Sequence, residues 1–144
     1  MAKAFTSAWI MGAWILMLPW AAMASDQDAI DYRQHMMNTL DAQFNAVALI
    51  LTGQAPDKNL LLHMEAMLVA ATLGHTAFEP KALGGRSLPQ VWEKWDDFSA
   101  KMKEFEASLA KAVAATKTEG AAGALQGLEF VSCKKCHDVY RKEP

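Results

Sequence analysis

Cys133-Lys134-Lys135-Cys136-His137 stands close to the C-terminal end of a 144-residue chain. On a helix, at about 100° per residue, Cys136 lies about −60° and His137 about +40° around the axis from Cys133, so all three leave one face of one turn. Two thiols and an imidazole so placed suit one chemistry. Each thiol adds across a vinyl group at a porphyrin edge, while the ring nitrogen reaches the iron. Cys-x-x-Cys-His is accordingly the attachment signal for a c-type haem, and His is a common ligand of haem iron. The expectation is one haem c, held by thioethers at Cys133 and Cys136, with His137 as a metal ligand.

Two other readings of these residues compete. A thioredoxin-like dithiol belongs beside a βαβ pattern, and no convincing strand pattern is present. A zinc site needs four ligands, and only His35, His63 and His75 remain, with no further cysteine.

Working outward, the chain opens with Lys3, an apolar run from Ala8 to Leu18, then Pro19 and the small-x-small triplet Ala22-Met23-Ala24. This predicts a secretory signal peptide over residues 1–24, cleaved after Ala24. The competing reading, a membrane anchor, needs about 20 apolar residues, more than this run supplies. Residues 25–144 then form one domain, long enough for a hydrophobic core, in a periplasmic location with no stable membrane insertion after cleavage. The formal charge of the whole chain is −2, and the leader takes one lysine with it, which argues against nucleic acid as a partner. Export favours disulfides, but both cysteines belong to the one motif.

Four amphipathic helices follow from apolar periodicity. In the first, over 27–52, Ile30, Met37, Phe44 and Leu51 repeat every seven residues with Leu40 and Val47 between them; Asp26 or Asp28 caps its start and Gly53 follows its end. The second runs over 58–77, with Leu61, Met64, Leu68 and Ala71 on its buried side. The third, over 88–116, opens on a Ser87-x-x-Gln90 capping box and carries Val91, Trp95, Phe98, Met102, Phe105, Leu109 and Ala112. The fourth, over 120–142, holds the motif; Gly120, Gly123 and Gly127 in its first half either permit close packing or mark a frayed start. Short connections make neighbours antiparallel. The predicted fold is all-α, an antiparallel up-down-up-down four-helix bundle with covalently bound haem.

In that topology the first and last helices are neighbours. Met37 and His137 differ by only about 7 Å along the bundle axis, at about 1.5 Å per residue. Met37 lies on the core stripe, so its thioether is a candidate second metal ligand; ordinary core packing is the competing reading. Lys134, Lys135, Arg141 and Lys142 form a basic patch, either a steering surface for an acidic redox partner or a solvated helix end whose cations suit the dipole.

With Tyr32-Arg33-Gln34 in the first helix, Pro89-Gln90-Val91-Trp92 opening the third and Cys133-x-x-Cys136-His137-x-x-Tyr140-Arg141 at the end, the chain from residue 25 onward resembles class II cytochromes c, the cytochrome c′ family and its low-spin relatives. The resemblance implies that Arg33 and Gln34 lie near the haem propionates, that Arg141 sits on the proximal side, and that the distal position falls on Met37. In five-coordinate members that position resembles an apolar residue guarding an empty site; in the low-spin branch it is a ligating Met.

The leading expectation is therefore a periplasmic electron carrier with a single six-coordinate His/Met haem. It is not an enzyme, since no distal acid–base pair suits a peroxidase. Its expected partners are redox proteins, the haem-attachment machinery during maturation, and a second copy in a homodimer. The alternative is a five-coordinate cytochrome c′-like protein that binds NO or CO.

Overall fold

The first helix is fastened at its start by a capping box. The Ser25 side chain accepts from the Asp28 N–H at 3.2 Å, and the Asp28 carboxylate accepts from the Ser25 N–H at 2.7 Å. Ser25, rather than Asp26 or Asp28, is thus the N-cap, and the Ser25 hydroxyl and N–H, both donating to the Asp28 carboxylate, hold it below the usual carboxylate range. In the computed structural model, which describes residues 25–143, α1 spans Asp26–Leu51, α2 Leu60–Thr76, α3 Gln90–Glu93, α4 Trp95–Glu119, α5 Ala121–Leu128 and α6 Lys134–Tyr140. The expected leader, residues 1–24, lies outside the described residues.

The architecture is a four-helix bundle. α1 packs on α2, α2 on α4 and α4 on α5, with α5 and α6 together forming the fourth leg. Among the described residues there is no strand, only an isolated antiparallel bridge between Ser87 and Arg141. α1 is capped by Thr52, and Gly53 follows with φ 74°, a conformation that favours glycine.

Four further expectations are corrected. The third helix is broken at Lys94, whose φ −123° and ψ 46° separate α3 from α4. Ser87 does not cap it. Its backbone is committed to the bridge with Arg141, and the side-chain amide oxygen of Gln90 (Oε1) is buried without a partner instead of closing a capping box. The fourth helix is likewise two. The bonds from Phe130 N–H to the Gly127 carbonyl and from Val131 N–H to the Leu128 carbonyl close α5 with a tight turn, and α6 starts afresh at Lys134. Finally, Phe44 is 43% exposed. Val47 and Ile50 take the core positions in this part of α1 instead.

The glycines of the fourth leg are there for close approach. A Cβ on Gly123 would stand 2.2 Å from the Ala115 carbonyl oxygen, and one on Gly127 2.5 Å from Ala112 Cα. α5 therefore lies with its backbone directly on α4.

Two hydrophobic clusters fill the interior. One joins all four legs through Val47, Ile50, Met64, Leu109, Ala112 and Ala124. The other is aromatic, built on Phe78, Val91, Phe98, Met102 and Tyr140, with Met37, Trp92 and Trp95 packed against it. Met37 packs against this second cluster, and Arg33 lies over the rings of Phe78 and Trp92 beside it.

Candidate functional site

α6 is a helix of seven residues whose first turn displays the motif. Cys133, at its N-cap, is exposed; Cys136 is half-buried; neither is in a disulfide. Burial pushes both thiols above their usual pKa, and the carboxylate of Asp41 adds to the effect on Cys133. Asp41 belongs to α1, one turn beyond Met37. α6 itself makes its main helix contacts with α3 and α4.

His137 is half-buried. Burial lowers its pKa first, and the Arg141 and Arg86 guanidiniums lower it further against the opposing effect of Asp138. The ring is thus held in the neutral form that binds a metal. The other buried-side histidines are already engaged: His63 with Gln43 at 2.7 Å, and His75 with Ser99 at 2.9 Å and stacked on Trp95. Among the described residues no hydrogen bond occupies the His137 ring.

One turn after His137, Tyr140 is buried, its ring edge-to-face with that of Phe98 at 5.2 Å between centroids. Its hydroxyl donates to the Asp97 carboxylate. Burial and that bond push the Tyr140 pKa up to about 12. Asp97 is held below the usual range by its bonds from Lys101 and Tyr140. Asp97 escaped the sequence reading, because nothing local connects positions 97 and 140.

Met37 is half-buried against the aromatic cluster. Its terminal methyl stands 3.0 Å from the point a Cβ on Gly74 would occupy. The missing side chain at Gly74 makes a notch in α2, and Met37 fills it.

The three residues assigned by resemblance have separate settings. Arg33 is buried; its Nη1 donates to the Ala82 carbonyl and its Nη2 to the Gly84 carbonyl, each at 2.8 Å. Its guanidinium lies 5.1 Å from the Trp92 ring centroid and 5.8 Å from that of Phe78. Gln34 is exposed, with its amide nitrogen over Gly85. Arg141 is exposed, and its backbone bridges to Ser87. The basic patch is largely paired: Lys135 with Glu104 at 2.8 Å, Lys134 with Asp138 at 3.8 Å, and Lys142 Nζ with the Gly85 carbonyl at 3.2 Å.

The donor set fits a covalently attached haem. Two unpaired thiols and an unengaged neutral imidazole leave one short helix, beside an aromatic and thioether-rich interior. Excluding water with such a lining tunes an enclosed iron.

Comparison with known proteins agrees. The model of the family described as Cytochrome C′ matches residues 28–141. The chain is 30% identical over 128 residues to a cytochrome c′ of Alcaligenes xylosoxydans xylosoxydans, covering 83% of this chain and 98% of that one. It is 30% identical over 122 residues to a cytochrome c-556 of Agrobacterium tumefaciens, covering 78% and 95% respectively. Among solved structures, a ferrous variant of cytochrome c prime from Alcaligenes xylosoxidans with bound NO superposes with a TM-score of 0.77 at 28% identity, over 85% of this chain and 99% of that one. From fold, motif and matched length together, the chain belongs to the cytochrome c′ family, whose haem c is covalently bound.

Proposed function

We propose that this protein is an exported haem c protein in which Cys133 and Cys136 hold the porphyrin, His137 binds the iron on one side, and an apolar distal face governed by Met37 admits a small diatomic ligand, NO or CO, on the other. The carrying observation is the seat of Met37. Its methyl fills the Gly74 notch of α2, so the side chain has a packing role that needs no metal. The NO-bound relative supports the same reading. When bound, the haem supplies a redox-active iron. The chain's own residues do the rest. The Cys133 and Cys136 thiols anchor, the neutral His137 ring donates, and Phe98 and Tyr140 line the interior beside it.

A second reading, the six-coordinate His/Met electron carrier, is favoured by the chemistry of residue 37 itself, since a thioether is a recognised haem ligand that raises the reduction potential. The redox partner would then meet the α6 end, where Cys133 is exposed and the lysines are mostly paired. Under either reading residues 1–24 direct export to the periplasm. Exposed apolar side chains on α1 and α2, among them Phe44, Leu62 and Val69, suit a homodimer contact.

One measurement separates the two. The ferrous protein is examined by optical spectroscopy with and without CO, as wild type and as Met37→Ala. A high-spin spectrum that shifts with CO in the wild type supports diatomic binding. A low-spin spectrum indifferent to CO, becoming responsive only in M37A, sinks it in favour of the carrier.

A further inference from the structure

We propose that Arg33 is a positioning residue: through the 82–88 segment it sets the spacing between α1, which carries Met37, and α6, which carries His137. The inference rests on Met37 being the distal residue.

The segment is fastened at both ends. On the α1 side, Arg33 donates to the carbonyls of Ala82 and Gly84, each at 2.8 Å. Ile30 Cδ1 lies 2.8 Å from the Cβ point of Gly84, and Gln34 Nε2 lies 2.7 Å from that of Gly85. A Cβ at either glycine would push these side-chain ends aside, and both glycines have positive φ, 138° and 58°, which favours glycine. On the α6 side, the Lys142 N–H donates to the Arg86 carbonyl at 2.8 Å, and the Leu88 N–H donates to the Tyr140 carbonyl at 2.9 Å. Ser87 and Arg141 pair between them.

Both attachments sit one helical turn from the candidate iron-facing residues. Arg33 precedes Met37 by four positions, on the same face of α1. Tyr140 follows His137 by three. Two adjoining stretches of one short segment therefore link the distal helix to the proximal one without passing through the bundle core.

Arginine suits this task and lysine does not. A buried charge must be partnered. The planar fork serves two carbonyls at once and presents its face to the Trp92 and Phe78 rings. An ammonium offers one centre and cannot hold both carbonyls in the same directions. Releasing Arg33 therefore frees the segment from α1, lets the Met37 turn move relative to α6, and opens the distal face.

The test uses the purified holoprotein. CO association with the ferrous form is followed after flash photolysis, and hydrogen exchange is read at the Leu88 and Lys142 amides. The variants are Arg33→Met, Arg33→Lys, Gly85→Ala and Met37→Ala, with Val113→Ala as a control in the other hydrophobic cluster. R33M and G85A are expected to speed CO association about two- to thirtyfold, the range for residues that couple sites without touching the ligand, and to lower protection at both amides. R33K falls between R33M and the wild type. V113A lowers thermal stability and leaves rate and protection unchanged. Should R33M not fold, G85A probes the same attachment from the segment's side. A rate that responds to M37A but not to R33M or G85A overturns the positioning role alone, as does a V113A shift as large as that of R33M. A rate indifferent to M37A overturns the distal reading itself.

Discussion

The terminal methyl of Met37 on α1 lies 3.0 Å from the point where a side chain at Gly74 on α2 would begin. Met102 Cε approaches the same point at 3.8 Å. Two flexible methionines thus share a notch that exists only because residue 74 has no Cβ.

Filling that notch should redirect Met37. Gly74→Ala places a methyl within 3.0 Å of Met37 Cε, and the side chain, having three rotatable bonds, turns away rather than breaking the helix. Alanine is also favoured over glycine in a helix interior by up to about 1 kcal/mol. The expected result is a protein of equal or higher melting temperature whose ferrous form binds CO more slowly than the wild type. Stopped-flow mixing with CO measures the rate; an unchanged rate would show that the notch does not control Met37.

Removing the two thiols should release the cofactor without unfolding the chain's other half. In Cys133→Ser/Cys136→Ser no thioether forms, so any haem retained is extractable into acidified organic solvent, whereas that of the wild type is not. Intact mass under denaturing conditions gives the readout: added mass in the wild type and none in the double variant.

The Tyr140–Asp97 bond makes alkaline stability depend on one phenol. In the fold Tyr140 keeps its proton up to about 12, against a usual value of 10.0. Between those values the unfolded chain binds fewer protons than the folded one, so stability falls as pH rises through that window and is fully present below it. Tyr140→Phe removes the titrating group and should flatten the loss. Denaturant melts by circular dichroism at pH values of about 9 and about 12 provide the comparison; equal slopes of stability with pH in the two proteins would refute the assignment.

Adding a methyl between α4 and α5 should be costly. In Gly127→Ala the new Cβ meets Ala112 Cα and Cβ at 2.5 Å. Those atoms belong to a helix backbone or are fixed to it, so the helices must separate. Overpacking of this kind costs about 1–3 kcal/mol, measurable as a lower thermal midpoint.

Periodicity and a five-residue motif were enough for the helical legs, the antiparallel bundle, and the candidate thiols and imidazole. These depend on short-range geometry: helical spacing governs which side chains share a face, and short connections reverse the chain. Local signals were misleading where a distant partner outcompeted them. Ser87 and Gln90 have the spacing of a capping box, yet the Ser87 backbone pairs with Arg141. Phe44 follows the heptad of Ile30 and Met37, yet Val47 and Ile50 are the residues that packing buries in that half of α1.

By itself, then, the sequence determined the class of fold and the donor set on α6, because both are written in residues a few positions apart. Only the tertiary structure decided that Met37 rests in the Gly74 notch, that Tyr140 bonds Asp97, and that Arg33 clasps the carbonyls of residues 82 and 84. Each of these joins groups more than thirty residues apart in the chain, and such contacts exist only once packing has chosen the relative height and rotation of the helices, which no local pattern encodes.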